Sequence, residues 1–281
     1  MTLLYFLPFA ALFAASLLAI LGFTCRYYLP LLVLAYGAAA LLGLLDAWAL
    51  LPMVLLGLAG WGMRGTRRSI RLLAHLVFVG TALGLMLHRF AGFKNPLVFA
   101  PQALSVDALP FSLYLNLDKP LIGFGLLLCF PLLAQRMGLG RTLVAAIIPL
   151  IAAIALIVPV ALSWQVLAWQ PKWPDITALW LLNNFLLVCM AEEVFFRAYI
   201  QGHLSRWLAH RPYGAGIALG LAALLFGLAH MAGGWLWVVL ATIAGVAYGV
   251  AYRYGGLLAA MLAHFGLNAL HFTLLTYPML R

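Results

Sequence analysis

Charge is what this chain of 281 residues has least of: Asp, Glu, Lys and Arg make up 8% of it, against about 25% in ordinary soluble domains. Acid is scarcer still, with Asp46, Asp107, Asp118, Asp175, Glu192 and Glu193 facing 16 Lys and Arg, so that the only two glutamates are neighbours. Hydrophobic residues reach 67%, well above the usual 45 to 50% or so, and this excludes a soluble globular domain. The net charge of +10 does not point to nucleic acid, because the basic residues are scattered between apolar runs and form no stripe. Cysteine is also sparse: Cys25, Cys129 and Cys189 are odd in number and contain no CxxC, which excludes a disulfide framework and a zinc-finger spacing.

What is abundant is apolar sequence in long runs. A helix crosses a bilayer with about 20 mostly apolar residues, and the runs predict an all-α, polytopic membrane bundle of about ten helices, eight at the least. They fall at 3–23, 28–45, 47–63, 72–88, 119–135, 142–163, 178–200, 213–231, 235–252 and 256–277. No basic residue precedes the first, so an uncleaved span is expected there and not a signal peptide. Cytoplasmic loops collect Lys and Arg. Placing Arg64, Arg67, Arg68 and Arg71 inside also places Arg26, Arg136, Arg141, Arg206, Arg211 and Arg253 there. Arg89, Lys94, Lys119, Lys172 and Arg281 then fall outside, and both termini are expected to be extracytoplasmic. The connection from Arg89 to Asp118 holds three prolines and reads as an extracytoplasmic loop or a surface-lying element.

A charge at the centre of a membrane helix costs about 2.5 to 3.5 kcal/mol on insertion scales, so two adjacent glutamates in the seventh run need a reason. In Ala191-Glu192-Glu193-Val194-Phe195-Phe196-Arg197, residues four apart share a helical face, which gives Glu193 a charge partner in Arg197 and gives Glu192 only Phe196. The two carboxylates are thereby pushed toward different jobs, one charged and structural, one proton-transferring. Taken alone, the pattern is more often a buried ion pair joining helices than a site. Two further runs change the balance. Phe226-x-x-x-His230 closes the eighth, and His264-x-x-x-Asn268 lies within the tenth with His271 continuing its face. Intramembrane polar groups face a bundle interior, so a carboxylate pair, a histidine and a His/Asn pair on three spans favour one site over packing. Asn184, eight residues before Glu192, is near its face. His75 and His88 bracket the fourth run, and His203 and His210, beyond the seventh among Arg206 and Arg211, read as solvated or headgroup-facing.

Several hydrolytic chemistries are absent from the sequence. There is no H-E-x-x-H for the two-histidine zinc motif, no serine in a G-x-S elbow, and no Asp in a G-x-G-D context. Glutamate with histidine remains. Zinc held by one or two glutamates and two histidines is an open alternative, although Asn268 is a poor zinc ligand and a good oxyanion donor.

Glu192-Glu193-x-x-x-Arg197, Phe226-x-x-x-His230 and His264-x-x-x-Asn268, in that order on successive spans, resemble the three motifs of the CPBP family, the CAAX protease and bacteriocin-processing or ABI family. The resemblance covers residues 178–277 and implies an intramembrane endopeptidase. On this chain it implies Glu192 as general base with His230 as partner, His264 and Asn268 holding the oxyanion, and Glu193, Arg197 and Phe226 in support. It also implies catalysis without a metal or other cofactor. Residues 141–281 would form the protease core and 1–140 an extension that carries no motif. The partners expected are the lipid bilayer and a membrane-tethered peptide or protein, with prenylated C-terminal peptides, bacteriocin-like precursors and C-terminal sorting signals as classes. Analogy places it in a prokaryotic plasma membrane. Two other classes keep the polar pocket: a proton-coupled transporter, which would carry interrupted helices in both halves, and a non-catalytic immunity or scaffold protein.

Overall fold

The computed structural model describes residues 3–130 and 137–281. The end of the fifth apolar run and Arg136 lie outside these residues. In chain order the elements are α1 Leu7–Ile20, α2 Cys25–Leu41, α3 Leu50–Met63, α4 Arg68–Met86, β1 Leu97–Gln102, β2 Phe111–Tyr114, α5 Pro120–Cys129 and α6 Leu139–Ser163, followed by α7 Thr177–Trp207, α8 Gly214–Leu228 and α9 Trp235–Leu274. Apolar composition drives the helices, since in lipid a helix satisfies its own backbone groups. Pro30 lies inside α2, and Pro149 and Pro159 inside α6; membrane helices tolerate proline where neighbouring helices and local adjustments re-satisfy the freed carbonyls. Among the described residues α4, α6, α7 and α9 are long and apolar enough to cross a membrane, and five shorter apolar helices accompany them. Large side chains such as Val33, Leu72, Leu76, Ile148 and Ile151 stand exposed on these helices, as lipid contact requires and water would not allow. The chain is an integral membrane protein.

Three boundaries refine the sequence reading. Asp46 separates the second and third runs, and its carboxylate accepts from Trp48 N at 2.9 Å to open the turn that leads into α3. The loop from Arg89 to Asp118 contains a two-stranded sheet of β1 and β2, an exception to an all-helical reading. The ninth and tenth runs are one 40-residue element, broken at Gly256, whose φ of 78° and ψ of −170° belong to a region that only glycine occupies without strain.

The chain forms two compact units. The first comprises Met1–Val98, Tyr114–Ala134 and Leu186–Val194. In it the buried Asp118 collects donors from His88 Nδ1 at 2.6 Å, Asn95 Nδ2 at 3.2 Å and the Lys119 amide at 2.9 Å. Asn95 Oδ1 accepts from the Leu117 amide, and the Tyr36 hydroxyl donates to the Leu117 carbonyl, both at 2.9 Å. His88, at the end of the fourth run, is therefore half of a specific pair.

The second unit comprises Phe99–Leu113, Gln135–Phe185 and Phe195–Arg281. Here α6 and α8 pack on α9. The C-terminal segment is tied down by backbone bonds from Thr276 N to Ala168 O at 2.8 Å, Leu280 N to Val166 O at 3.0 Å and Leu109 N to Met279 O at 3.0 Å. Trp180 stacks on Phe272 with centroids 4.1 Å apart, and Tyr277 and Phe111 set their rings edge-on around Phe272.

Candidate active site

Helix α7 carries the glutamates, and it is not a uniform α-helix. Asn184–Cys189 and Val194–Gln201 are π-helical, and Met190–Glu193 forms a single α turn between them. Such stretches are rare and frequently mark functional sites. They also change the geometry assumed from sequence. Each π turn shifts the phase of the residues beyond it, so the α-helical spacing that put Asn184 on the face of Glu192 does not apply across residues 184–189. Glu193 is fully buried and Glu192 partly exposed. Both belong to the first compact unit, whereas Phe226, His230, His264, Asn268 and Arg197 belong to the second.

Within the second unit those residues converge. Arg197 is fully buried, and its guanidinium carbon lies 4.7 Å from the ring centre of Phe226, 5.7 Å from Tyr248 and 5.9 Å from Phe196. A desolvated cation over an aromatic face gains about 2 kcal/mol or more, so these rings offset part of the cost of burying the charge. The same rings hold the histidine of the third motif. His264, 3% exposed, lies flat on Tyr248 and edge-on to Phe226, its centroid 5.6 Å from that of Phe226.

His230 sits just past the end of α8, at φ −96° and ψ 12°, heading a short 3-10 turn. Its Nδ1 is 2.9 Å from the Phe226 carbonyl. A carbonyl oxygen can only accept, so Nδ1 carries a proton, and Nε2 is the nitrogen that acts as acceptor when the ring carries one proton. The four-residue spacing of the second motif thus has a chemical consequence: residue 226 supplies the carbonyl that sets the tautomer of residue 230. Asn268 donates from Nδ2 to Asn184 Oδ1 at 3.3 Å, which uses one of its two amide hydrogens. His271 is within 3.1 Å of the Thr276 carbonyl through Nε2, which must therefore be its donor.

Phe226, His230, His264, Asn268 and His271 line one cavity, together with Tyr248 and apolar side chains of α6 and α9. Its volume of about 80 Å³ exceeds what a single water needs. In the runs read from sequence His230 stands at the end of 213–231 and His264 within 256–277. Helix α8 starts at Gly214, directly after Tyr213, and α7 extends to Trp207. Because α8 stops at Leu228 and the chain turns there, His230 reaches the same cavity as His264. Sequence reasoning missed Tyr248, since an aromatic residue 16 positions before His264 and across the Gly256 break obeys no spacing rule. Among the described residues no group of three or more His, Cys, Asp or Glu gathers as a metal site.

No curated protein and no solved structure gives a match to this chain. Residues 173–270, which contain all three motifs, match the family model of the type II CAAX prenyl endopeptidase Rce1-like proteins, in agreement with the CPBP resemblance of those motifs.

Proposed function

We propose that this protein is an intramembrane endopeptidase that hydrolyses a peptide bond of a membrane-associated peptide or protein with water activated by Glu192 and His230. The family match over residues 173–270 carries this reading, and the tautomer of His230 supports it, because a ring with Nδ1 bonded to the Phe226 carbonyl offers Nε2 to a water proton. Water oxygen attacks the scissile carbonyl carbon as its proton passes to the Glu192 carboxylate. The negative charge formed on the carbonyl oxygen is met by His264 and by the second N–H of Asn268. The C–N bond then breaks, and the proton held by Glu192 goes to the leaving amine. Glu193, Arg197 and Phe226 support the arrangement, Arg197 and Phe226 through their buried cation–ring contact. The proposal includes a metal-independent reaction, about ten membrane crossings, a catalytic region within 141–281 and a prokaryotic plasma membrane.

The test is cleavage of membrane-anchored peptides, prenylated and unprenylated, by the full chain in liposomes. Glu192→Gln and His230→Gln are expected to lose about 100- to 10,000-fold in kcat, and His264→Ala or Asn268→Ala about 100- to 1000-fold. Equal processing by wild type and all four variants would rule the assignment out. Activity lost to a chelator and restored by stoichiometric zinc would replace the metal-free mechanism with a zinc one.

A further inference from the structure

The cavity that holds His230 and His264 also holds a hydrogen-bond donor that the proposed reaction does not use. Trp237 lines it from α9, and its Nε1 is buried with no acceptor among the described residues. The nearby His271 does not serve it: the ring centres are 5.5 Å apart, no hydrogen bond joins the two side chains, and Nε2 of His271 bonds the Thr276 carbonyl. Leaving a buried N–H unsatisfied is costly, so its retention needs a compensating acceptor. The pose of the indole is built in. A Cβ on Gly233 would lie 2.7 Å from Trp237 Cγ, so residue 233 must lack a side chain for the ring to lie where it does.

The rest of the lining states what the acceptor belongs to. Among the described residues of the second unit no Asp, Glu, Lys or Arg lines the cavity, and Ile157, Val158, Leu167, Leu240 and Leu270 form much of its wall. A charged headgroup or a charged side chain would be stranded there. An extended peptide entering an apolar site must find partners for its own carbonyl oxygens. We infer that Trp237 is a substrate-binding residue whose indole N–H donates to a backbone carbonyl oxygen of an uncharged, apolar peptide segment seated in this cavity. The inference rests on the endopeptidase reading and names the substrate chemistry of that same site.

The experiment uses the full chain in phosphatidylcholine liposomes and an N-palmitoylated, internally quenched peptide with leucines flanking the cleavage site. Trp237→Phe keeps a ring and removes the N–H. It is expected to raise KM about 3- to 10-fold, the worth of one net hydrogen bond, with kcat within about twofold. In the Glu192→Gln background, binding of the same uncleaved peptide falls by the same factor. Gly233→Ala leaves the indole present but displaced, and the same KM shift is expected, which keeps the idea testable should the Phe variant not fold. Unchanged KM and unchanged peptide binding in both variants would overturn the role of Trp237 while leaving the endopeptidase reading intact. Absence of cleavage by wild type, with Trp237-dependent binding preserved, would do the reverse. A peptide with lysines in place of the leucines is expected to bind more weakly, and equal or tighter binding of it would overturn the apolar specificity.

Discussion

The imidazole of His264 lies flat against the ring of Tyr248, with centroids 4.5 Å apart and planes 13° from parallel. Tyr248 in turn faces the buried guanidinium of Arg197. One aromatic ring therefore fixes the orientation of a third-motif histidine and shelters the arginine of the first motif, linking two segments that are 67 residues apart in sequence at their nearest motif positions, Arg197 and His264.

Stacking of this kind is worth about 0.5 to 1.5 kcal/mol. Tyr248→Leu is accordingly expected to lower kcat about 2- to 12-fold by loosening His264. Peptide cleavage in liposomes measures it, and a kcat equal to that of wild type would show that His264 holds its orientation without the stack.

Asn184 is a positioning residue for Asn268. Its Oδ1 accepts one amide hydrogen of Asn268 and so aims the other. Asn184→Leu is expected to reduce kcat about 2- to 10-fold with little change in KM. Asn184→Asp, which keeps an acceptor oxygen in place, is expected to recover most of that loss at neutral pH. A rise in KM alone would assign Asn184 to binding instead.

The network around Asp118 governs stability. Asp118→Ala leaves His88 Nδ1, Asn95 Nδ2 and the Lys119 amide without their acceptor, and the expected cost is about 2 to 3 kcal/mol. Thermal unfolding in detergent reads it as a lowered Tm. Asp118→Asn, which retains one acceptor oxygen, is expected to fall between that variant and wild type.

Lys172 lies in the segment between α6 and α7, half-buried, with its Nζ donating to the Leu275 and Gln170 carbonyls. Burial lowers its pKa from the usual lysine value to about 8. Between about 8 and the unfolded value near 10.4, the unfolded chain holds a proton that the folded chain has released. Stability from this group therefore rises with pH across that window, and below it the buried charge is a cost. Amine labelling of Lys172, followed by peptide mapping, is expected to show a rate midpoint near pH 8. A midpoint close to that of a free lysine peptide would contradict the burial.

The class of the molecule was legible in the sequence because it follows from composition and local order. An apolar excess with little charge demands a membrane, and residues four apart on a helix share a face whatever surrounds them. Hence the helical fold, the division at Asp46 and the grouping of His264 with Asn268 were readable from residues alone, and so was the four-residue spacing of Phe226 and His230. What that spacing does was not, because a backbone carbonyl has no letter in the sequence. The π turns of α7, the break at Gly256 and the turn after Leu228 set the phase and direction of the chain, and they depend on packing that no single segment encodes. Tyr248 beneath His264, the Asn184–Asn268 bond and the buried N–H of Trp237 all join residues with no periodic relation. Only the tertiary structure decided them, since it alone brings distant segments within hydrogen-bond and ring-contact range.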